Sequence, residues 1–204
     1  DNDDLRRGKP STHKKFGEST AVLAGNSLLT LAFEILTSKY LKITDNKKIL
    51  IIKYISNCSG HEGVAGGQYS DLNFENKKIS FSKIKDMQVK KTGRLFSFCC
   101  IAPLIVVNKN NLIKKFKKIG EDIGLLFQIA DDLIDYSGNS KIAGKKTKKD
   151  AAKGKATLIS LLGYKNTIKY SKRLKLNIFN ELSKYQKRSN DLKQTIEFIL
   201  NRTN

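Results

Sequence analysis

The sequence predicts an all-α protein that forms one domain over residues 1–204. The chain contains only 2 Pro and 14 Gly among 204 residues, which argues against a loop-rich β-sandwich and favours long helices. Apolar residues recur at helical spacing along most of the chain, and no linker or internal repeat divides it. Hydrophobic residues account for 39% and charged residues for 28%, a balance typical of globular rather than disordered proteins.

The apolar pattern assigns a structure to each part of the chain in turn. The first predicted helix, Glu18–Thr37, combines apolar side chains with alanines at helical spacing, and we expect it to lie in the core. The clearest amphipathic pattern covers Asn110–Asp135. Polar Asn73–Lys78 and basic, glycine-containing Gly138–Lys155 are predicted as loops. The other predicted helices are Ile49–Ile55 with a cap at Asp45–Asn46, Ser80–Val107 with a disturbance at Pro103, Ala156–Tyr185 and Asn190–Asn201.

The composition also bounds the compartment and the kind of site. No uninterrupted apolar run reaches the roughly 18 residues that span a bilayer, so we expect no stable membrane insertion. Nothing in the sequence marks the chain for secretion, and its three cysteines form no disulfide framework, which favours the cytoplasm. With two histidines and no CxxC pair, a structural zinc site is not expected.

The formal net charge of +20 has two interpretations. A strongly basic chain is typical of nucleic-acid-binding proteins. Of the 39 basic residues, however, 33 are Lys, and they are spread along the chain and over predicted helix faces. We therefore favour a lysine-rich solvated surface and expect no nucleic-acid partner. A basic nucleic-acid-binding helical module stays the alternative.

Three aspartates near the end of the predicted helix Asn110–Asp135 give the sharpest indication of a site. A helix places Asp131, Asp132 and Asp135 on one face, with Gln128 one turn before them. Like charges at this spacing repel one another by about a few tenths of a kcal/mol per pair. A hard cation such as Mg²⁺, which prefers oxygen ligands, offsets that repulsion. The alternative is an ordinary acidic surface patch.

Two further segments combine charge with a possible anion-binding role. At the start of the chain, Asp1–Asp4 precede Arg6 and Arg7, whose guanidinium groups are suited to bidentate phosphate binding. The alternative there is a frayed, charged terminus. Lys91 lies in an apolar predicted helix, where it either faces inward or extends along the helix to the surface.

The glycine-containing segments allow either structural or binding roles. The basic loop that holds Lys145 and Lys155 is suited to close over phosphates, and its simplest interpretation is a flexible loop. The cluster of Gly63, Gly66 and Gly67 favours close approach of helices.

Taken in order, these motifs resemble the trans-isoprenyl diphosphate synthases, and most of all the bacterial farnesyl/geranylgeranyl diphosphate synthase branch. The motifs are DDLRRGKP near the start, then GVAGGQ, KTG and FQIADDLID, and finally GK…D…KGKAT. The resemblance covers essentially the whole chain. It implies an all-α, isoprenoid synthase-type bundle around a central cavity, in which two aspartate-rich motifs hold Mg²⁺ against an allylic diphosphate.

The resemblance also implies roles for individual residues. Asp1, Asp131, Asp132 and Asp135 would bind Mg²⁺, with Asp1 matching only the last aspartate of the first motif. Arg6 would contact the allylic diphosphate and Arg7 isopentenyl diphosphate. Lys91, Thr92, Gln128 and Lys145 would steady the leaving diphosphate and the carbocation, and Lys155 would belong to a closing loop.

The sequence departs from the family pattern in four places. The first aspartate pair and most of the isopentenyl diphosphate site have no counterpart, so the resemblance implies the C-terminal two-thirds of the family domain with its N-terminal helices missing. We then expect the apolar faces of Glu18–Thr37 and Ile49–Ile55 to be exposed, and the chain alone to be inactive and poorly soluble. Val64, Asn139 and Lys148 replace the usual Met, Asp and Gly.

The resemblance implies a prenyltransferase that condenses isopentenyl diphosphate head-to-tail with an allylic diphosphate. The allylic substrate is dimethylallyl, geranyl or farnesyl diphosphate. The resemblance also implies that the reaction depends on Mg²⁺ and that the enzyme is a homodimer. Diphosphate is the second product. Three alternatives belong to other classes: a non-catalytic subunit of a heteromeric prenyl synthase, a class I terpene cyclase, and the nucleic-acid-binding module. The complete DDLID motif argues against the first two, since such subunits tend to lose their aspartates and the cyclases carry a different second metal motif.

Overall fold

The computed structural model describes residues 3–6, 8–137 and 154–201, and α-helices account for most of them. Near the N-terminus, strands β1 (Leu5–Arg6) and β2 (Lys9–Pro10) pair as an antiparallel hairpin. The predicted all-α class is confirmed. The helices are α1 (Thr12–Phe16), α2 (Glu18–Thr37), α3 (Asp45–Ser59), α4 (Val64–Asn73), α5 (Phe81–Gln88), α6 (Arg94–Val106), α7 (Ile113–Ser137), α8 (Leu158–Leu162), α9 (Tyr164–Ser183) and α10 (Asn190–Asn201).

Helix α7 is the centre of the packed part of the molecule. It contacts α6 along one side and α9 and α10 along the other. Its buried face includes Ile123, Leu125, Leu126 and Ile129, each no more than 1% exposed. These residues follow the predicted amphipathic pattern, so the sequence located this core helix correctly. The α7 aspartates are therefore carried on the best-packed element of the described chain.

The predicted long helix Ser80–Val107 is present, but its irregularity is elsewhere. Residues Phe81–Val106 run continuously through α5, a π-helical turn at Val89–Gly93 and α6. Helix α6 passes through Pro103 to Val106, because a proline near a helix end removes one hydrogen bond without preventing the final turn. The disturbance expected at Pro103 stays a prediction, and the irregularity that the structure describes is the π turn, which we call the π segment.

Two other parts of the helix assignment differ from the sequence prediction. Helix α4 was not predicted, since its glycines hide the apolar pattern. The predicted helix Ala156–Tyr185 is divided into α8 and α9 at Gly163, whose φ of 76° is in the left-handed region. Thr157 and Ser160 form a capping box that begins α8. The loop after α4 and the last helix are confirmed, whereas most of the predicted loop Gly138–Lys155 lies outside the described residues.

Helix α2 forms where it was predicted. Its apolar face is exposed, as the family resemblance implied, and does not lie in the core, as its apolar pattern indicated. It has no buried residue, and Val22, Leu23 and Leu28 are 63–68% exposed. The exposure expected for Ile49–Ile55 holds for Ile49, at 64%, whereas Ile51 is buried in a small cluster with α6. Apolar periodicity alone therefore did not distinguish an exposed apolar helix face from a buried one.

Helix α2 is also the described helix that is long and apolar enough, by length and composition, to cross a membrane. It contains no long uninterrupted apolar run, because polar residues, including Asn26 and Glu34, divide it. Core helices of soluble proteins share these properties, so α2 by itself does not indicate membrane insertion.

Candidate active site

The π segment lies between α4 and α7 and carries Lys91 and Thr92. Glycines on both neighbours allow the close approach. A Cβ atom on Gly67 of α4 would lie 2.1 Å from the Lys91 backbone nitrogen, and one on Gly124 of α7 would lie 2.5 Å from the Gly93 Cα. Single π turns inside α-helices occur frequently at functional sites. The structure thus supports the close-packing interpretation of Gly67.

Lys91 is paired with a carboxylate that the sequence analysis missed. Its Nζ donates to Asp71 Oδ2 at 2.7 Å, and Asp71 is only 6% exposed. The Lys91 side chain is 22% exposed, so it does not extend freely into solvent. Asp71 follows Gly67 by one helical turn, and it therefore faces the π segment together with that glycine. The i,i+4 spacing between Gly67 and Asp71 was a signal in the sequence, but it had no meaning without a helix there, and α4 was not predicted.

A chain of hydrogen bonds joins the π segment to α7. Thr92 Oγ1 donates to Gln128 Oε1 at 3.0 Å, and Gln128 Nε2 donates to Asp132 Oδ1 at 2.9 Å. Gln88, at the end of α5, donates from Nε2 to Asp132 Oδ2 at 3.0 Å. Three of the predicted site residues, Thr92, Gln128 and Asp132, therefore lie in direct contact. Gln88 was not predicted.

The other two aspartates lie on the same stretch of α7. Asp135 is 6% exposed, and Asp131 is half-buried. Among the described residues, no group of three or more His, Cys, Asp or Glu side chains is close enough to hold a metal ion by itself. Mg²⁺ is usually held by one or two carboxylates together with waters and substrate phosphates. The α7 aspartates therefore offer oxygen ligands of the kind that Mg²⁺ shares with waters and phosphate groups.

Two of the remaining predicted residues, Arg6 and Lys155, lie on other parts of the described chain. Arg6 is exposed on β1, and no hydrogen bond or ion pair among the described residues links its side chain to α7. Lys155 is half-buried and follows Gly154, whose carbonyl oxygen accepts from the Asn76 backbone N–H at 2.8 Å. Three predicted site residues, Asp1, Arg7 and Lys145, lie outside the described residues, as do Asn139 and Lys148.

A second ion pair joins the helices directly after the π segment. Arg94 Nη1 donates to Glu121 Oε1 at 2.5 Å, and both side chains are at least four-fifths buried. Burial raises the pKa of the nearby Cys58 thiol, and the positive charge of Arg94 opposes that rise. This pair connects α6 to α7 and was not predicted from the sequence.

The chain is similar in sequence to known proteins. The polyprenyl synthetase family model matches residues 1–199. A farnesyl diphosphate synthase from Bacillus subtilis is 38% identical over 183 residues, which cover 85% of this chain and 62% of the relative. A farnesyl diphosphate synthase from Micrococcus luteus is 34% identical over 203 residues, which cover 99% of this chain and 69% of the relative.

The fold comparison gives the same result. The crystal structure of a Helicobacter pylori geranyltransferase complexed with magnesium and isoprenyl diphosphate matches with a TM-score of 0.86 at 31% identity. The match covers 98% of this chain and 66% of that protein. The chain thus spans about two-thirds of the length of the proteins it resembles. On the family match over nearly its whole length and on these likenesses in sequence and fold, the chain belongs to the polyprenyl synthetase family.

Proposed function

We propose that this protein is a prenyltransferase that condenses isopentenyl diphosphate head-to-tail with an allylic diphosphate, either dimethylallyl, geranyl or farnesyl, and releases diphosphate. The observation that carries the proposal is the hydrogen-bonded cluster that joins the π segment to α7, with Lys91 on one side and the aspartates on the other. The names and family of the related proteins support it.

Cationic side chains bind the diphosphate in this proposal. Asp71 holds Lys91 in place, so that its ammonium group is fixed before the substrate arrives. Lys91, Lys145 and Arg6 then neutralise the charge that grows on the departing diphosphate, which is the electrostatic part of the catalysis. Arg7 binds isopentenyl diphosphate, and Lys155 belongs to the segment that closes over the phosphates.

Magnesium is the cofactor in this proposal. The carboxylates proposed to hold it are Asp1, Asp131, Asp132 and Asp135. When bound, the ion supplies Lewis-acid stabilisation of the leaving diphosphate. The donor set fits because these are oxygen ligands, and because Mg²⁺ requires few protein ligands once diphosphate oxygens complete its shell.

The allylic cation requires dipoles rather than strong bases around it. Thr92 and Gln128 are placed for this role on facing elements, and each has an oxygen with lone pairs. Apolar helix faces exclude water, which would otherwise quench the cation. The proton lost at the end of the condensation passes to the released diphosphate, so the reaction needs no histidine or cysteine base.

The remaining proposals concern the molecule as a whole. We propose that residues 1–204 act as a single domain, that the protein is a cytoplasmic homodimer, and that its high positive charge reflects a solvated lysine-rich surface rather than a nucleic-acid site. The spread of 33 Lys along the chain supports the last point.

The test is incorporation of radiolabelled isopentenyl diphosphate, with each allylic diphosphate in turn, in the presence of Mg²⁺ or a chelator. Because the chain covers 62% of its Bacillus subtilis relative, the assay includes the 204-residue chain and a chimera that adds the part of that relative which this chain lacks. We expect Mg²⁺-dependent prenyl synthesis by the chimera and little by the chain alone. Asp131→Ala in the chimera should lower the rate by about two orders of magnitude or more while leaving helicity intact.

The control is the same substitution at Asp191, an aspartate in the first turn of α10 and far along the chain from the site. A folded chimera that makes no prenyl product, or an Asp131→Ala variant with normal turnover, would contradict the proposal.

A further inference from the structure

We propose that Arg94 and Glu121 are positioning residues, whose ion pair fixes the place of the π segment on α7. The residue through which they act is Thr92, which donates to Gln128 of α7 at 3.0 Å. This inference rests on the proposed function, in which Thr92 and Gln128 face the allylic cation. It concerns two residues that lie outside the sequence motifs of the site.

The helix that contains the π segment lies antiparallel to α7, and several of their contacts follow one line. As the residue numbers rise along one helix, those of the partners fall along the other. The contacts, which we call the α7 seam, join Gln88 to Asp132, Thr92 to Gln128, Gly93 to Gly124, Arg94 to Glu121 and Ser97 to Gly120. The α7 seam therefore has one register, since a shift along α7 would separate all of these pairs together.

The glycines of the α7 seam allow the two helices to approach closely, but they do not by themselves hold the register. A Cβ on Gly120 would lie 2.5 Å from the Ser97 Cα, and one on Gly124 would lie 2.5 Å from the Gly93 Cα. Apolar packing has no preferred direction, so one helix is able to slide along such contacts. The register then depends on the hydrogen bonds of the α7 seam, which are directional.

Of those hydrogen bonds, the one from Arg94 to Glu121 joins two opposite charges. Nη1 of Arg94 donates to Oε1 of Glu121 at 2.5 Å, and the side chains are 20% and 16% exposed. A charge-assisted bond is about twice as strong as a neutral one. Nε of Arg94 is buried and has no hydrogen-bond partner within the described ranges, so Glu121 is the acceptor that holds the guanidinium group.

The ion pair is close enough to Thr92 to control its position. Arg94 directly follows the π segment, and a shift of that segment by one helical residue moves it about 1.5 Å along α7. Such a shift would stretch the 3.0 Å bond from Thr92 to Gln128 beyond hydrogen-bond length. Lys91 is held separately, by Asp71 of α4. Loss of the ion pair should therefore displace Thr92 more than the Lys91 ammonium group.

The experiment compares three variants in the chimera of the incorporation assay: Arg94→Met, Arg94→Met with Glu121→Leu, and Arg94→Lys. We measure kcat, KM for the allylic diphosphate, the midpoint of thermal unfolding and hydrogen–deuterium exchange of the π-segment amides. Arg94→Met leaves a mostly buried carboxylate unpaired and should lower the midpoint by about 5 °C or more. The double variant replaces both charges by apolar side chains, so its midpoint should stay within about 2 °C of the parent value.

The double variant separates positioning from stability. It should lower kcat about tenfold to a hundredfold, because apolar contacts do not fix the register of Thr92. KM for the allylic diphosphate should change by no more than about threefold, since Lys91 keeps its partner. The π-segment amides should exchange faster than in the parent. Arg94→Lys keeps a charged donor for Glu121 and should retain kcat within about threefold.

Two further variants locate the effect. In a Thr92→Val background, the double variant should lower kcat by no more than about threefold, because the bond that it misplaces is already absent. The control is Lys115→Met with Glu181→Leu, which removes another ion pair of α7, 3.0 Å long and near the start of that helix. It should leave kcat unchanged.

Two results would overturn the inference. One is a double variant with the kcat of the parent, which would show that the ion pair only stabilises the fold. The other is an equal loss of kcat in the Thr92→Val background, which would show that the effect does not pass through Thr92. If the double variant unfolds, Glu121→Gln, which keeps the size and an acceptor oxygen, takes its place, with an expected loss of about threefold to tenfold.

Failure of the proposed function gives a different result. A folded chimera that makes no prenyl product would contradict that function, and hydrogen–deuterium exchange would still decide on the ion pair. Exchange of the π-segment amides in the double variant as slow as in the parent would then refute the positioning role.

Discussion

Helices α7 and α2 are both long and both rich in apolar residues, yet their surroundings are opposite. Ten of the 25 residues of α7 are buried, whereas none of the 20 residues of α2 is. Helix α7 packs against α6, α9, α10 and the π segment, while α2 contacts α3 and the short α1. The comparison shows that an apolar pattern specifies a helix, but that burial depends on which neighbours are present.

The same contrast holds for the glycines of the two helices. Gly120 and Gly124 of α7 lie against backbone atoms of the α5–α6 helix, where a Cβ would approach Ser97 or Gly93 Cα to 2.5 Å. A Cβ on Gly25 of α2 would meet no atom of the described residues within 4 Å, apart from its chain neighbours and its own helix backbone. Glycine in α7 is therefore a packing requirement, and in α2 it is not one in this chain.

The largest expected difference comes from removing a leucine side chain in each helix. Leu126 of α7 is 0% exposed, and Leu28 of α2 is 68% exposed. Leu126→Ala should lower the free energy of unfolding by about 2–5 kcal/mol, because it removes buried methyl groups and leaves a cavity. Leu28→Ala should change it by no more than about 0.5 kcal/mol. Urea denaturation followed by circular dichroism measures both, and similar losses for the two variants would show that α2 is buried in solution.

A smaller effect, of opposite sign in the two helices, is expected from adding a methyl group at glycine. Gly124→Ala should destabilise the protein by about 1–3 kcal/mol, since the added Cβ forces α7 away from the π segment. Gly25→Ala should stabilise it by about 0.5–1 kcal/mol, because alanine is the better helix former and meets no obstacle. The same denaturation experiment gives the sign, and a stabilising Gly124→Ala would refute the close approach of the two helices.

The smallest expected effect is a difference in thiol reactivity between two neighbouring cysteines of α6. Burial raises the pKa of the Cys100 thiol to about 11, whereas its neighbour Cys99 is exposed. A raised thiol pKa means less of the reactive thiolate at neutral pH. At pH 7.5 we therefore expect iodoacetamide to label Cys99 well before Cys100 or buried Cys58. Mass spectrometry of the labelled peptides measures the order, and labelling of Cys100 should accelerate as the pH approaches 11.

The sequence allowed the helical class and most helix positions to be predicted, because apolar periodicity is a local property. It did not predict α4, whose glycines interrupt the pattern, or the π segment, which changes hydrogen bonding without changing composition. The sequence also did not show whether α2 is buried, since burial depends on residues that are far away in the chain.

The residues of the candidate site were likewise predicted only in part. Helical spacing indicated Gln128 and the three α7 aspartates, the apolar surroundings indicated Lys91, and the family resemblance implied Thr92. The structure places Thr92, Gln128 and Asp132 in contact. Their partners Gln88 and Asp71 come from elements that only the tertiary structure brings together. No signal within α5 distinguished Gln88 from an ordinary polar residue, because its importance lies in a contact 44 positions further along the chain.

The π segment is a place where the chain is able to lose one residue and still fold. Removing one residue from Val89–Gly93 would let the helix close into regular α-helical turns, so the fold would tolerate the loss. Because a π turn holds one residue more than the α-helical turn that replaces it, the deletion would leave α5 and α6 close to their present relative rotation. Gln88 would then still face Asp132, and only the residues between Val89 and Gly93 would be redistributed over the new turn. The loss of a single codon here would therefore leave a folded family member in which the change is confined to the π segment, Lys91 and Thr92 included.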